Sequence, residues 1–289
     1  MRIGIAVKPK LVAARETLAE LSAWLGTHHV DAVWTPEAAA LVDGAGRASA
    51  DRAELPAQVD FVLVLGGDGT LLSMAKAIAE SGHDVPILAV NFGSLGFLTE
   101  ITRPEIFSSL EAVLNNRATH DLRMMLRATA TQKGQAPLSH MALNDVVFTR
   151  TALSRMIELS VSVGDQFVTA VKADGLIVAT PTGSTSYNLA AGGPIVHPSM
   201  DALVLTPIAP HMLTNRPIVI PTEREVRVRS TSSNAGDEVY VTIDGQTGFG
   251  LQEGDEMAIA KAQRPLRLIR STTRSYFEVL RQKLKWNER

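Results

Sequence analysis

Five residues, Gly66-Gly67-Asp68-Gly69-Thr70, follow the apolar run FVLVL and lead directly into the helical pattern LLSMAKAI. A strand–glycine–helix junction exposes backbone N–H groups at a helix N-terminus, where the helix dipole adds to their attraction for anions. Glycine lets a phosphate approach the main chain closely. A carboxylate inside such a turn is out of character, because it repels the anion that the turn attracts. Asp68 either caps the helix that follows, a common use of aspartate, or takes a proton from a hydroxyl attacking phosphorus. On this turn alone the two readings stand level. No G-x-x-x-x-G-K-[ST] occurs, and no G-x-G-x-x-G opens a helix after a strand, so neither a P-loop nor a Rossmann dinucleotide turn is written here.

A second chemically suggestive stretch is DGLIVATPTGSTSYNLAAGGPIVHP, residues 174–198. A strand-like run enters Thr180-Pro181-Thr182-Gly183-Ser184-Thr185-Ser186-Tyr187. The hydroxyls and exposed main chain of such a loop can hydrogen-bond a nucleoside, and Tyr187 can stack on a base. A Ser/Thr-capped helix start after a proline turn explains the same residues. His197 and His211 each sit beside a proline in apolar surroundings and read as structural hydrogen-bonding residues rather than ligands. No spacing of His, Asp and Glu suggests a protein-built metal cage.

These residues must be positioned by the elements around them. The first ~120 residues alternate strand-like runs (RIGIAV, DAVWT, FVLVL, PILAVN) with helical patterns, as in a parallel α/β sheet. Leu18, Leu21 and Leu25 give one helix its face, LLSMAKAIAESG ends at Gly82, and Pro104 lies near the start of PEIFSSLEAVLNN. FVLVL, apolar throughout, predicts a central strand covered on both faces. From about residue 121 to 262 the texture changes to alternating Val, Ile and Thr with Gly/Asp turns, VGDQ and IDGQ among them, which predicts a largely antiparallel β domain. The segment 263–289 returns to helical spacing through Phe277, Leu280 and Leu284, and Met124 and Met125 read as packing.

Composition narrows the class. The chain has 289 residues, 28 Lys+Arg against 30 Asp+Glu and a net charge of −2, which argues against a nucleic-acid binder. It has no cysteine, so disulfides, thiolate nucleophiles and Cys-ligated zinc are excluded, and a reducing compartment, the cytoplasm, is expected. No run approaches the roughly 18 apolar residues of a membrane span, so no membrane association is expected.

Taken in order, IGIAVKPK, GGDGT, NFGSLGFLTE (91–100), LNDVVFTR (143–150), the 174–198 stretch, PHMLTNRPIVIP (210–221) and YFEVLRQKLKW resemble the NAD kinase family over nearly the whole chain. GGDGT alone is shared with diacylglycerol and sphingosine kinases and, more loosely, phosphofructokinases; with an Asn-acid pair and TPTGST behind it, it points to NAD kinases. The resemblance implies an α/β domain over 1–120, a β-rich NAD-binding domain over 121–262, a last segment over 263–289 that packs back on the first, and an active site between the two domains. It implies an ATP-dependent phosphotransferase with an alcohol acceptor, making NADP from NAD, with Mg²⁺ arriving on ATP and a homodimer or homotetramer as the assembly.

The resemblance also assigns roles. Asp68 matches the general base acting on the 2′-hydroxyl of the adenosine ribose, while Gly66, Gly67, Gly69 and Thr70 face phosphate, and Asp68 and Gly69 also border NAD. Asn144 and Asp145 match an Asn-Glu pair on the NAD nucleoside, with Asp145 one methylene short. Arg155 and Lys172 match basic positions near the pyrophosphate, and a basic residue at 172 goes with preference for NAD over NADH. Asp174, Thr185, Ser186, Tyr187, Asn188, Ala190 and Gln246 match substrate contacts, with Ser186 where Ala is commoner. Ser73 stands where many members carry Arg or Lys, which weakens a basic clamp there. The rival readings are a lipid or sugar kinase built on the same turn, or a nucleotide sensor without turnover.

Overall fold

The computed structural model describes residues 1–42, 47–150, 156–212, 214–231, 239–270 and 274–286. The chain forms two compact units, Met1–Leu122 with Leu266–Arg289, and Arg123–Pro265.

In the first unit, strands β1 (Arg2–Val7), β2 (Asp31–Trp34), β3 (Phe61–Gly66) and β4 (Ile87–Asn91) run parallel in the order β2-β1-β3-β4. The short β5 (Ile101–Thr102) pairs with β4, and β6 (His120–Arg123) closes the far edge of the sheet. Helices α1 (Arg15–Thr27), α2 (Pro36–Ala39), α3 (Asp68–Ser81) and α4 (Ile106–Leu114) belong to the same unit. Every residue of β3 is buried, as its unbroken apolar run predicts for a strand with neighbours on both sides. Helix α3 buries Leu71, Met74, Ala75 and Ile78 and stops at Gly82, whose φ of 73° is the left-handed cap that glycine adopts without steric cost. Helix α1 buries Leu18, Leu21 and Leu25. A capping box between Thr102 and Glu105 starts the turn that leads into α4.

The second unit is two antiparallel six-stranded sheets. Its first strands are β7 (Leu126–Thr131), β8 (Leu138–Ala142), β9 (Asp145–Arg150), β10 (Ile157–Val163), β11 (Gln166–Ala173) and β12 (Gly175–Ala179). After the one-turn α5 (Tyr187–Ala190) come β13 (Ala202–Ile208), β14 (Ile218–Pro221), β15 (Val226–Ser230), β16 (Val239–Ile243), β17 (Thr247–Leu251) and β18 (Glu256–Lys261). The sheets run β11-β10-β15-β18-β7-β8 and β14-β13-β12-β9-β16-β17. Alternation of inward and outward side chains, clearest in β15, lets Leu126, Leu159 and Val228 of one sheet share a core with Val146, Phe148 and Val178 of the other. VGDQ and IDGQ are hairpin connections, joining β10 to β11 and β16 to β17.

The chain then returns to the first unit. Strand β19 (Leu266–Ile269) pairs in parallel with β4, and α6 (Tyr276–Leu284) follows a Ser275–Glu278 capping box. Of the three residues that set the spacing of α6, Leu280 is buried and Leu284 half-buried, whereas Phe277 is exposed and Val279 is buried instead. An α/β unit on a mostly parallel sheet and an antiparallel β unit are the two textures that the sequence predicts. No helix among the described residues is long and apolar enough to cross a membrane.

Candidate active site

The GGDGT turn lies where β3 becomes α3. Gly66 ends the strand, and a Cβ there would fall 2.4 Å from Thr70 Oγ1, so only glycine lets Thr70 fold back under the turn. Gly67, not Asp68, is the N-cap of α3, and no side chain caps that end. This removes the capping reading of Asp68. Its carboxylate reaches instead to the loop after β4: Oδ2 accepts the Phe97 N–H at 3.0 Å, and Oδ1 accepts the Thr99 N–H at 3.0 Å, the Thr99 hydroxyl at 2.9 Å and the Leu98 N–H at 3.3 Å. A carboxylate has about four acceptor sites, two per oxygen, so Oδ2 retains room for a further donor.

Loop 92–99 is itself organised by Asn91 at the end of β4. The Asn91 amide donates to Ser94 O at 2.8 Å and to Thr99 Oγ1 at 3.0 Å, and its oxygen accepts the Gly93 N–H at 2.6 Å. A chain of hydrogen bonds therefore runs from Asn91 through Thr99 to Asp68. Gly96 is obligatory, because a Cβ there would lie 2.0 Å from Asp68 Oδ1. The sequence showed NFGSLGFLTE as a block without saying why; the signal was an Asn closing β4 beside a strand that ends in glycine.

In the second unit, Asn144 and Asp145 stand at the head of β9. Asp244, which sequence reasoning passed over inside IDGQ, fixes their backbone. Its carboxylate accepts N–H groups from Leu143 at 2.7 Å, Asn144 at 2.8 Å and Asp145 at 3.0 Å. Asp244 and Gly245 both have positive φ, 50° and 63°, which aspartate and glycine tolerate better than most residues. The Asn144 side-chain oxygen is buried and has no hydrogen-bond partner.

Burial, and secondarily the charge of Asp244, push the Asp145 carboxyl up to about 7. Between 3.8 and about 7 the folded chain holds a proton that the unfolded chain has released. The sign follows: this carboxyl favours the folded state on the acid side, and its contribution is lost as pH rises through the folded value. Asp145→Asn is expected to abolish that loss, so wild-type melting temperature should fall relative to the variant between about pH 4 and about pH 7 and level off above that. Parallel melting profiles for the two proteins would contradict it.

The TPTG segment is tied to the same strand head. Thr180 donates its hydroxyl to Leu143 O at 2.6 Å and its N–H to Asn144 O at 2.9 Å, while a Cβ on Gly183 would sit 2.0 Å from Asn144 O. Tyr187 presents an exposed ring, and Ala190 is exposed beside it on α5. Thr185 and Ser186 are half-buried. Asn188 is fully buried, with its amide donating to Ser184 O and Pro194 O and its oxygen accepting from Thr206, so its side chain braces the loop. Lys172 pairs across strands with Glu158, Asp174 pairs with Arg150, and Gln246 is exposed in the β16–β17 connection. Arg155 lies outside the described residues.

Comparison with known proteins accounts for both halves. Residues 3–118 match the ATP-NAD kinase N-terminal domain and residues 143–271 the ATP-NAD kinase C-terminal domain. The chain is 46% identical to an NAD kinase of Syntrophotalea carbinolica, covering 100% of this chain and 99% of the relative, and 43% identical to one of Koribacter versatilis, covering 99% of each. Among solved structures, yeast NADH kinase complexed with NADH matches with a TM-score of 0.91 at 26% identity, covering 100% of this chain and 89% of that one. An Archaeoglobus fulgidus NAD kinase in complex with ATP matches with a TM-score of 0.75 at 25% identity, covering 99% of each chain. Sequence, domain models and fold agree along the full length: this chain belongs to the NAD kinase family.

Proposed function

We propose that the NAD kinase activity of this chain runs through Asp68, which accepts the proton of the adenosine ribose 2′-hydroxyl of NAD as that oxygen attacks the γ-phosphorus of ATP. The O2′–Pγ bond forms, the bond from Pγ to the β–γ bridging oxygen breaks, ADP leaves, and the proton goes to Oδ2. One observation supports this above the others: Asp68 is turned away from its own helix, and the donors of loop 97–99 leave an acceptor site on Oδ2. Gly66, Gly67, Gly69 and Thr70 present the phosphate-binding turn. Asn144 and Asp145 take the nucleoside, with the unpartnered Asn144 oxygen as the acceptor. Tyr187 supplies a ring for stacking, Thr185, Ser186 and Ala190 line its neighbourhood, and Asn188 holds that loop in shape. Lys172, Asp174, Arg155 and Gln246 complete the NAD contacts; Lys172 and Asp174 exchange their present ion pairs to do so.

Mg²⁺ would arrive on ATP, carried by phosphate oxygens and water, where it would neutralise phosphate charge. A homodimer or homotetramer is supported by exposed apolar residues on two edge strands, Phe167 and Val168 on β11 and Ile218 and Val219 on β14. The absence of cysteine suits a cytoplasmic enzyme. The deciding assay gives the purified protein NAD, ATP and Mg²⁺ and reads NADP formation, with NADH as a parallel acceptor. The 2′-phosphate of NAD should be the sole product, formed faster than that of NADH; a 3′-phosphate would mean that the ribose is presented differently.

A further inference from the structure

A cavity of about 290 Å³ in the first unit is lined by Gly66, Gly67 and Asp68, by the start of loop 92–99, and by two lysines, Lys8 and Lys283. The lysines come from the two ends of the chain. Lys8 directly follows β1 and is fixed by its N–H to Leu65 O at 2.9 Å, beside the glycine turn. Lys283 lies in the last turn of α6, with its ammonium 5.4 Å from the centre of the Phe97 ring. Phe97 is the residue whose N–H holds Asp68 Oδ2. Among the described residues neither ammonium has an ion-pair partner. Arg52, held against Val7 next to Lys8, is committed elsewhere: it donates to Ser73 Oγ at 3.0 Å and to Val7 O at 2.7 Å.

This arrangement answers a problem of charge. A phosphate chain drawn to the turn meets the Asp68 carboxylate in the same cavity, and backbone amides alone must outweigh that repulsion. Two ammonium groups reverse the balance. A lysine ammonium is a compact charge on a flexible stem, suited to phosphate oxygens that shift as a group is transferred. The cavity is also small for a whole dinucleotide and of a size for a phosphate chain. We propose that Lys8 and Lys283 bind the phosphates of ATP, gripping the chain beside the glycine turn. The proposal rests on the reading that the GGDGT turn takes ATP phosphates.

Four variants test it by steady-state kinetics in saturating Mg²⁺: Lys8→Met, Lys283→Met, the double variant, and Lys8→Arg with Lys283→Arg together. Either single Met change should raise KM for ATP about tenfold, and the double more, with KM for NAD changed less than about threefold. The Arg pair, which keeps the charges, should stay near wild type; that outcome separates charge from packing at Lys283, which also covers Phe97. KM for ATP within about twofold of wild type in the double Met variant would overturn the proposal, as would an equal rise in KM for NAD. Gly67→Leu separates this failure from that of the underlying reading, because a Cβ there meets no neighbouring atom within 4 Å. If Gly67→Leu raises KM for ATP while the double Met variant does not, the cavity holds the phosphates and the lysines do not. If neither does, both readings fall. The exposed Lys8 tolerates substitution structurally, so Lys8→Met carries the test even if changes at Lys283 disturb α6.

Discussion

Asp68→Asn is expected to lower kcat about 10²–10⁴-fold, the usual contribution of a positioned general base, while the variant still folds and binds MgATP. The amide cannot accept a proton at neutral pH, so the ribose hydroxyl must lose its proton to water. The structure adds a second, smaller consequence. Both carboxylate oxygens face donors: Phe97 N–H on Oδ2, and Thr99 N–H and hydroxyl on Oδ1. An asparagine offers one oxygen and one NH₂, so at least one of these donors meets another donor. Leaving such a group unpaired costs about 1–3 kcal/mol, enough to loosen loop 97–99 but small beside a marginal stability of several kcal/mol. A modest fall in melting temperature should therefore accompany the large fall in kcat. Near-normal turnover in a folded variant would remove Asp68 from the chemistry; loss of fold together with loss of turnover would point to the loop contacts as its main duty.

The sequence was legible where local physics decides the outcome. FVLVL reads as a central strand because nothing polar interrupts it, and α3 reads as a helix from its apolar spacing and its terminal glycine. Texture alone separated an α/β unit from an antiparallel one. Long-range partners were not legible. LRLI gives no hint that β19 pairs with β4, more than 170 residues away, because a four-residue strand carries too little pattern to name its neighbour. On α6 only Phe277 was misplaced: it shares helical spacing with Leu280 and Leu284, while the choice between Phe277 and Val279 depends on what packs against the helix. The same limit held at the site. GGDGT and TPTGST drew attention by composition, but Asn91, Thr99 and Asp244 act through hydrogen bonds to residues between 8 and 101 positions away, and a lone Asp-Gly reads first as a turn.

That overlooked aspartate carries the second large effect. Asp244→Ala removes the acceptor of three N–H groups at the head of β9, those of Leu143, Asn144 and Asp145. At about 1–3 kcal/mol for each buried donor left unpaired, the loss amounts to several kcal/mol unless water enters to replace the carboxylate. The strand head that positions Asn144 and Asp145 then loosens, and KM for NAD should rise about tenfold or more, at about 1.4 kcal/mol per tenfold, with KM for ATP little changed. An opposing term exists. Asp244 is one of the two causes that raise the Asp145 carboxyl, so deleting it eases the ionisation of Asp145. That relief counts only where Asp145 is ionised in the folded chain, above about 7. Below that value the carboxyl is already neutral and only the lost hydrogen bonds register. The destabilisation by Asp244→Ala, measured by urea unfolding, should accordingly be larger near pH 6 than near pH 8.5, which lie about one and about one and a half units either side of the folded value. Asp244→Asn, which keeps one accepting oxygen, should fall between the alanine variant and wild type in both stability and KM for NAD. A destabilisation that is the same at both pH values would show that the two carboxyls do not feel each other, and an unchanged KM for NAD would detach the β16–β17 turn from substrate binding.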